Sequence, residues 1–186
     1  MLETELKCML NEETYNRLEK MFVWDRVFEQ TNGYYSDLAG ALKKNGITLR
    51  ARTIDGSSVI QVKAHKNAGS ALQISEESEY KTDNIPEQLS AGEVKEMTGL
   101  EVPASLLGSL TTKRHSLMYA DGVEICLDKN DYLDKTDYEI EIEYTRDIPT
   151  ELLERLKAEG ICFDTAATGK CSRFMMRLAG IIREEE

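Results

Sequence analysis

Between residues 137 and 143 every second side chain is a carboxylate: Asp137, Glu139, Glu141 and Glu143, with Tyr138, Ile140 and Ile142 between them. A period of two belongs to a β-strand, whose successive side chains leave on opposite faces. The same period recurs elsewhere. Ile47, Leu49 and Ala51 share a face opposite Thr48, Arg50 and Arg52, and Ile60, Val62 and Ala64 oppose Gln61, Lys63 and His65. Glu3, Glu5 and Lys7 make one face of residues 2–8. Any fold for this chain has to bury the aliphatic faces and give the charged faces a place to go.

Two architectures satisfy that demand. One is a sheet or sandwich whose charged faces meet water, as half-buried antiparallel strands usually do. The other is a closed barrel with a charged lumen, whose aliphatic outer faces pack beneath helices. Four carboxylates in a row on one short strand repel each other, and solubility does not require such density. Acidic and basic strands are also segregated rather than interspersed as on ordinary surfaces. Both features favour the barrel. Its acid strands would suit divalent cations and its basic strands phosphate oxygens.

The rest of the chain reads as an α+β domain of many antiparallel strands with helices at intervals. Asn11 is a helix N-cap after a strand over Leu2–Leu10, and Leu18, Phe22 and Tyr15 share a side of that helix. Residues 23–35 are expected to be extended, with a short helix over 36–45 closed by Gly46. Asp55-Gly56 and Asp121-Gly122 mark two hairpins, and residues 71–80 and 138–144 two further strands. Helices are expected over 86–99, with Ser90 and Glu93 at capping-box spacing, over 150–159 and over 170–183. The closing Glu184-Glu185-Glu186 reads as a solvated end. Trp24, Tyr34, Tyr35, Met175 and Met176 are expected to pack as core, and His115 to be exposed.

Composition narrows the function. The 186 residues, 41% hydrophobic and 31% charged, fit one globular domain spanning 1–186. No stretch approaches the roughly 20 apolar residues of a membrane span, and the acid-bearing first ten residues lack signal-peptide order, so a cytoplasmic location is expected. A net charge of -11 argues against a nucleic-acid partner but permits a small polyanion bound by a local basic field. The four cysteines form no CxxC and lack zinc spacing, leaving buried, reduced thiols as the expectation.

Glu3-Thr4-Glu5-Leu6-Lys7 matches ExExK, although Glu77-Ser78-Glu79-Tyr80-Lys81 matches it too. After the first copy come Gln30–Asp37, Leu49-Arg50-Ala51-Arg52 in the form LRxR, Val62-Lys63, Thr112-Lys113-Arg114, Leu127-Asp128, the ExExE run 139–143, and Lys170-Cys171-Ser172-Arg173-Phe174. In this order the segments resemble the CYTH family, the triphosphate tunnel metalloenzymes. The departure is Ser75, where the family often places an arginine two residues before Glu77.

The resemblance implies an eight-stranded antiparallel β-barrel, a triphosphate tunnel with flanking helices, that hydrolyses a triphosphate with Mg²⁺ or Mn²⁺. It implies Glu3, Glu5, Glu139 and Glu141 as metal ligands, with Glu143, Asp128 and Glu77 as further ones. Lys7, Arg50, Arg52, Lys63, Arg114, Arg173 and Lys170 would bind the triphosphate, and Lys7, Glu5 and Glu141 would act in catalysis. Phosphoryl transfer asks mainly for positioning and charge neutralisation, which such a lumen supplies. A class IV-type adenylyl cyclase and a non-catalytic polyanion- or nucleotide-binding barrel use the same features. The expected partner is a small-molecule triphosphate, with no nucleic acid and no membrane, and a monomeric or homodimeric protein.

Overall fold

The computed structural model describes residues 2–67 and 71–185, with side chains as far as Arg183, so the acidic end at 184–186 lies outside the described side chains. In chain order the elements are β1 (Leu2–Leu10), α1 (Glu12–Met21), β2 (Arg26–Ser36), α2 (Ala41–Lys44), β3 (Ile47–Ile54), β4 (Ser57–His65) and β5 (Leu72–Lys81). There follow β6 (Gln88–Leu89), α3 (Ala91–Thr98), β7 (Ala104–Ala120), β8 (Val123–Tyr132), β9 (Lys135–Tyr144), α4 (Thr150–Ala158) and α5 (Lys170–Glu185).

The strands run in the order β2-β3-β4-β5-β1-β9-β8-β7, and β7 pairs back onto β2, which closes an eight-membered ring. Every pairing is antiparallel. The two residues of β6 merely extend the sheet beside the start of β7. The expected eight-stranded barrel is what forms.

Helices cover the outside where the aliphatic faces emerge. Tyr15 and Leu18 of α1 and Leu152 and Leu156 of α4 pack on Val123, Ile125, Leu127, Ile140 and Ile142. On the opposite wall, Leu42 of α2 and Val94 of α3 pack on Leu49, Ala51, Ile60 and Val62. A smaller cluster of Tyr34, Leu110, Tyr132 and Phe174 lies where α5 enters one end of the barrel.

Local chemistry sets several boundaries as read. Asn11 accepts from the Thr14 amide at 2.8 Å, and Asp55 and Gly56, both at positive φ, make the β3–β4 turn. The Ser90–Glu93 capping box is present, but it starts α3 there rather than at Pro86, because the preceding Gln88–Leu89 pairs with β7. The expected helix over 36–45 shrinks to 41–44, since Asp37 spends its carboxylate on the Ala41 and Leu42 amides, at 2.7 and 2.9 Å.

Three side-chain expectations need correction. His115 is buried against Tyr15 and Trp24, because its outward-facing position on β7 lies under α1. Tyr34 faces the lumen and meets Phe174, whereas Tyr35, one position on, joins the outer core. Met176 is exposed on α5, while Met175 packs inward. All four cysteines are free; Cys126 is buried and Cys162 is exposed.

Candidate functional site

Strand register decides what faces the lumen. Residues paired across a ladder share a face, so Glu5↔Glu143, Lys7↔Glu141, Asp128↔Glu139 and Arg114↔Asp128 point the same way. Continuing round the ring, Arg50↔Gln61, Lys63↔Glu77 and Glu3↔Ser75 join them. Every residue singled out on a strand lies on this inner row, and α5 brings Lys170 and Arg173 into the same space.

The charges divide into three zones. At the end entered by α5, Lys170 Nζ lies 2.8 Å from Asp128, 2.5 Å from Glu139 and 2.9 Å from Glu141. Arg173 donates to Asp137 at 2.8 Å and to Glu139 at 3.1 Å. Burial alone would raise the Glu139 pKa, yet Lys170, Lys7 and Arg173 outweigh it and hold that carboxyl down at about 2. Glu141 is likewise held well below the usual range against burial, by Lys170, Lys7 and Arg114.

In the middle, Lys7 Nζ sits 2.8 Å from Glu141 and 3.3 Å from Glu5. Burial opposes its ammonium, but Glu141, Glu5 and Glu139 together raise its pKa above the ordinary lysine value. Arg114 donates to both oxygens of Asp128, at 2.9 and 2.7 Å, and also reaches Glu141 and Glu143.

Towards the other end the pairing thins. Lys63 Nζ lies 2.6 Å from Glu3 and 3.3 Å from Glu77, and Ser75 Oγ donates to the same Glu3 oxygen at 3.2 Å. Glu143 is pushed up to about 7 by burial and by Glu141, Glu3 and Glu5, only partly offset by Arg114. Side-chain exposure along β9 rises from 0% at Glu139 to 4% at Glu141 and 28% at Glu143. The lumen therefore opens at the Glu143 end.

Arg52 stands apart. Its Nε donates to Asn32 Oδ1 at 2.9 Å, and among the described residues no carboxylate lies within 4.0 Å of it. Burial, then Arg50 and Arg114 beside it, push its pKa down. A guanidinium at which the field of Arg50 and Arg114 outweighs that of Glu77 marks a local excess of positive charge inside an acidic protein.

Two trios offer oxygen atoms within 4.8 Å of one another: Glu3, Glu5 and Glu143, and Asp128, Glu139 and Glu141. Both are all-oxygen sets of the kind hard divalent cations take. They differ in what already balances them. Lys170 reaches all three members of the second trio. The first shares only Lys63, Lys7 and one edge of Arg114.

Several lumen residues were not singled out by their sequence. Asp137 anchors Arg173, Gln61 accepts from Arg50 at 2.7 Å, and Gln30, Asn32 and Tyr34 line β2. Asp137 and Gln61 stand on the charged faces read from the sequence, and strand parity along β2 finds the others.

A closed antiparallel barrel with acids and bases sorted onto facing strands of its lumen is a tunnel fold for binding charged ligands. Residues 1–161 match the CYTH domain, and the chain belongs to that family. It is 31% identical over 151 residues, 76% of this chain and 77% of the relative, to YjbK of Bacillus subtilis (strain 168), provisionally named a triphosphatase. A crystal structure from Bacillus halodurans, provisionally named an adenylate cyclase, superposes with a TM-score of 0.71 at 24% identity, covering 92% of this chain and 96% of that one. HpAC1 from Hippeastrum, described as a cyclase candidate with a dominant triphosphatase activity, gives 0.71 at 21% identity, covering 94% and 95%. These two likenesses concern the fold.

Proposed function

We propose that the protein is a divalent-metal-dependent triphosphatase that cleaves the terminal phosphoanhydride of a small triphosphate inside the barrel. The observation that carries this reading is that the under-compensated Arg52, with Arg50 on the same strand, shares one lumen with the crowded acids Glu3, Glu5 and Glu143. A metal–triphosphate complex presents both charges those groups lack. The name given to YjbK agrees with this reading.

Glu3, Glu5 and Glu143 would hold Mg²⁺ or Mn²⁺, since their oxygens converge and lack a full set of counter-ions. Such a cation supplies Lewis-acid polarisation of phosphate oxygens. Arg50, Arg52, Lys63 and Arg114 would grip the phosphate chain, with the arginine forks suited to paired oxygens. Lys7, held protonated by Glu141 and Glu5, would neutralise charge developing on the transferred group. Glu141 is kept ionised by three cations and is a weak proton acceptor, which leaves Glu5 as the carboxylate that orients the attacking water. Lys170 and Arg173, with Asp128, Asp137 and Glu139, would hold the α5 end together, and Glu77 would position Arg50 and Lys63.

The test is product analysis with tripolyphosphate, ATP and thiamine triphosphate, with and without chelator. Orthophosphate released only with metal is expected. Cyclic nucleotide and diphosphate from ATP would indicate a cyclase instead, and binding without product a non-catalytic barrel. Lys7→Ala and Arg52→Ala should each lower kcat/KM by about 100-fold or more with the fold intact by circular dichroism. Near-normal turnover in either removes that residue from the site.

A further inference from the structure

The buried stretch of the inner row of β2, from Gln30 to Tyr34, carries no charge, yet among the described residues it is the least satisfied part of the lumen. Gln30, Asn32 and Tyr34 face inward, beside Thr112, Arg52 and Arg50 respectively. They are buried to 2%, 0% and 0% exposure. Among the described residues, Gln30 Nε2, Asn32 Nδ2 and the Tyr34 hydroxyl nevertheless have no hydrogen-bond partner. Buried donors are almost always paired, and each exception calls for an explanation. Three exceptions at alternate positions of one strand ask for a single one.

Position supplies it. In the ring, β2 is four strands from β1 by either route, so this row faces Glu3, Glu5 and Lys7 across the lumen. Asn32 accepts from Arg52 through Oδ1, so its free Nδ2 and the under-compensated guanidinium border the same space. An acceptor-only group with several oxygens would satisfy both, and a phosphate chain is such a group. We infer that Gln30, Asn32 and Tyr34 form a neutral donor wall that takes non-bridging oxygens of the bound triphosphate, on the side away from Glu3 and Glu5. This rests on the triphosphatase reading and adds a binding row to it.

The wall contributes direction where the arginines contribute charge. Neutral donors engage oxygens without deepening the repulsion among Arg50, Arg52 and Arg114.

The experiment is calorimetric titration of tripolyphosphate into the whole protein in chelator, where turnover is off. Asn32→Asp removes the free donor and sets a carboxylate beside Arg52; binding should weaken by about 100-fold while the melting temperature holds or rises. Tyr34→Phe and Gln30→Met each delete one donor and should weaken binding by about tenfold. A wild type that binds tripolyphosphate neither in chelator nor with added Mg²⁺, and turns none over, sinks the triphosphatase reading, and the wall with it; binding that appears only with Mg²⁺ moves the same comparison of variants to that condition. A wild type that binds, with Tyr34→Phe and Gln30→Met within twofold of it, overturns the wall alone: the row then serves ordered water, and any loss in Asn32→Asp belongs to Arg52.

Discussion

Charge buried in this barrel is tolerated in proportion to how it is paired, and the residues differ widely in that respect. Arg114 has Asp128, Glu141 and Glu143 around it, whereas Arg52 has one neutral acceptor. The same test applied outside the lumen singles out His115. It lies between Tyr15, whose hydroxyl is 3.4 Å from Nδ1, and Glu19, 3.2 Å from Nε2, with Trp24 against its ring. Burial and Lys113 lower its pKa below the ordinary histidine value, and the opposing pull of Glu19 and Asp128 does not offset them. The unfolded chain therefore binds more protons just below pH 6.5, so this contribution to stability is present above that value and is lost as pH falls through the depressed folded value. The melting temperature should drop as pH falls below about 6.5, and His115→Gln should flatten that part of the profile. An unchanged slope in the variant would clear His115 of the effect.

At the level of elements, the barrel end depends on how α5 is seated. Phe174 reaches the space between Tyr34 and Tyr132 because β7 carries an irregularity opposite Tyr34 and Tyr35. Gly108 at that point has φ 146, and a Cβ there would meet Phe174 Cζ at 3.0 Å. Gly108→Val should cost about 1–3 kcal/mol by urea titration and should loosen α5 first, read as faster amide exchange in 170–178 than in β8. Uniform exchange across both would count against the seating role. The hairpins and helix caps were legible because one or two residues dictate each. The early start of β7 at Ala104 was not, because its partners are Ser36, far back in the chain, and the two residues of β6 across α3. Nor was the β8–β9 turn, where Leu133 adopts φ 53 without a glycine or asparagine to announce it.

For the molecule as a whole, alternation revealed the inner row residue by residue but left open whether the row faced water or a lumen. Ring closure rests on β2 meeting β7, strands separated by most of the barrel, and no local pattern encodes that pairing. The density of Asp137, Glu139, Glu141 and Glu143 was the indirect sign, since only an enclosed field of Lys170, Arg173, Lys7 and Arg114 makes such a run stable. The neutral stretch of β2 from Gln30 to Tyr34 escaped notice because glutamine, asparagine and tyrosine have no sign to sort.

With Phe174 packed between Tyr34 and Tyr132 where α5 enters one end of the barrel, the exposed Glu143 end is the way in, and traffic through a single mouth has an order. A triphosphate that goes in tail first leaves its severed orthophosphate trapped behind the larger fragment. That fragment must back out before the orthophosphate can follow. The last product to depart is the one that meets the vacated protein, so orthophosphate should inhibit competitively against substrate in initial-rate kinetics and the larger fragment should not. The reverse assignment would mean that the Phe174 end opens during turnover.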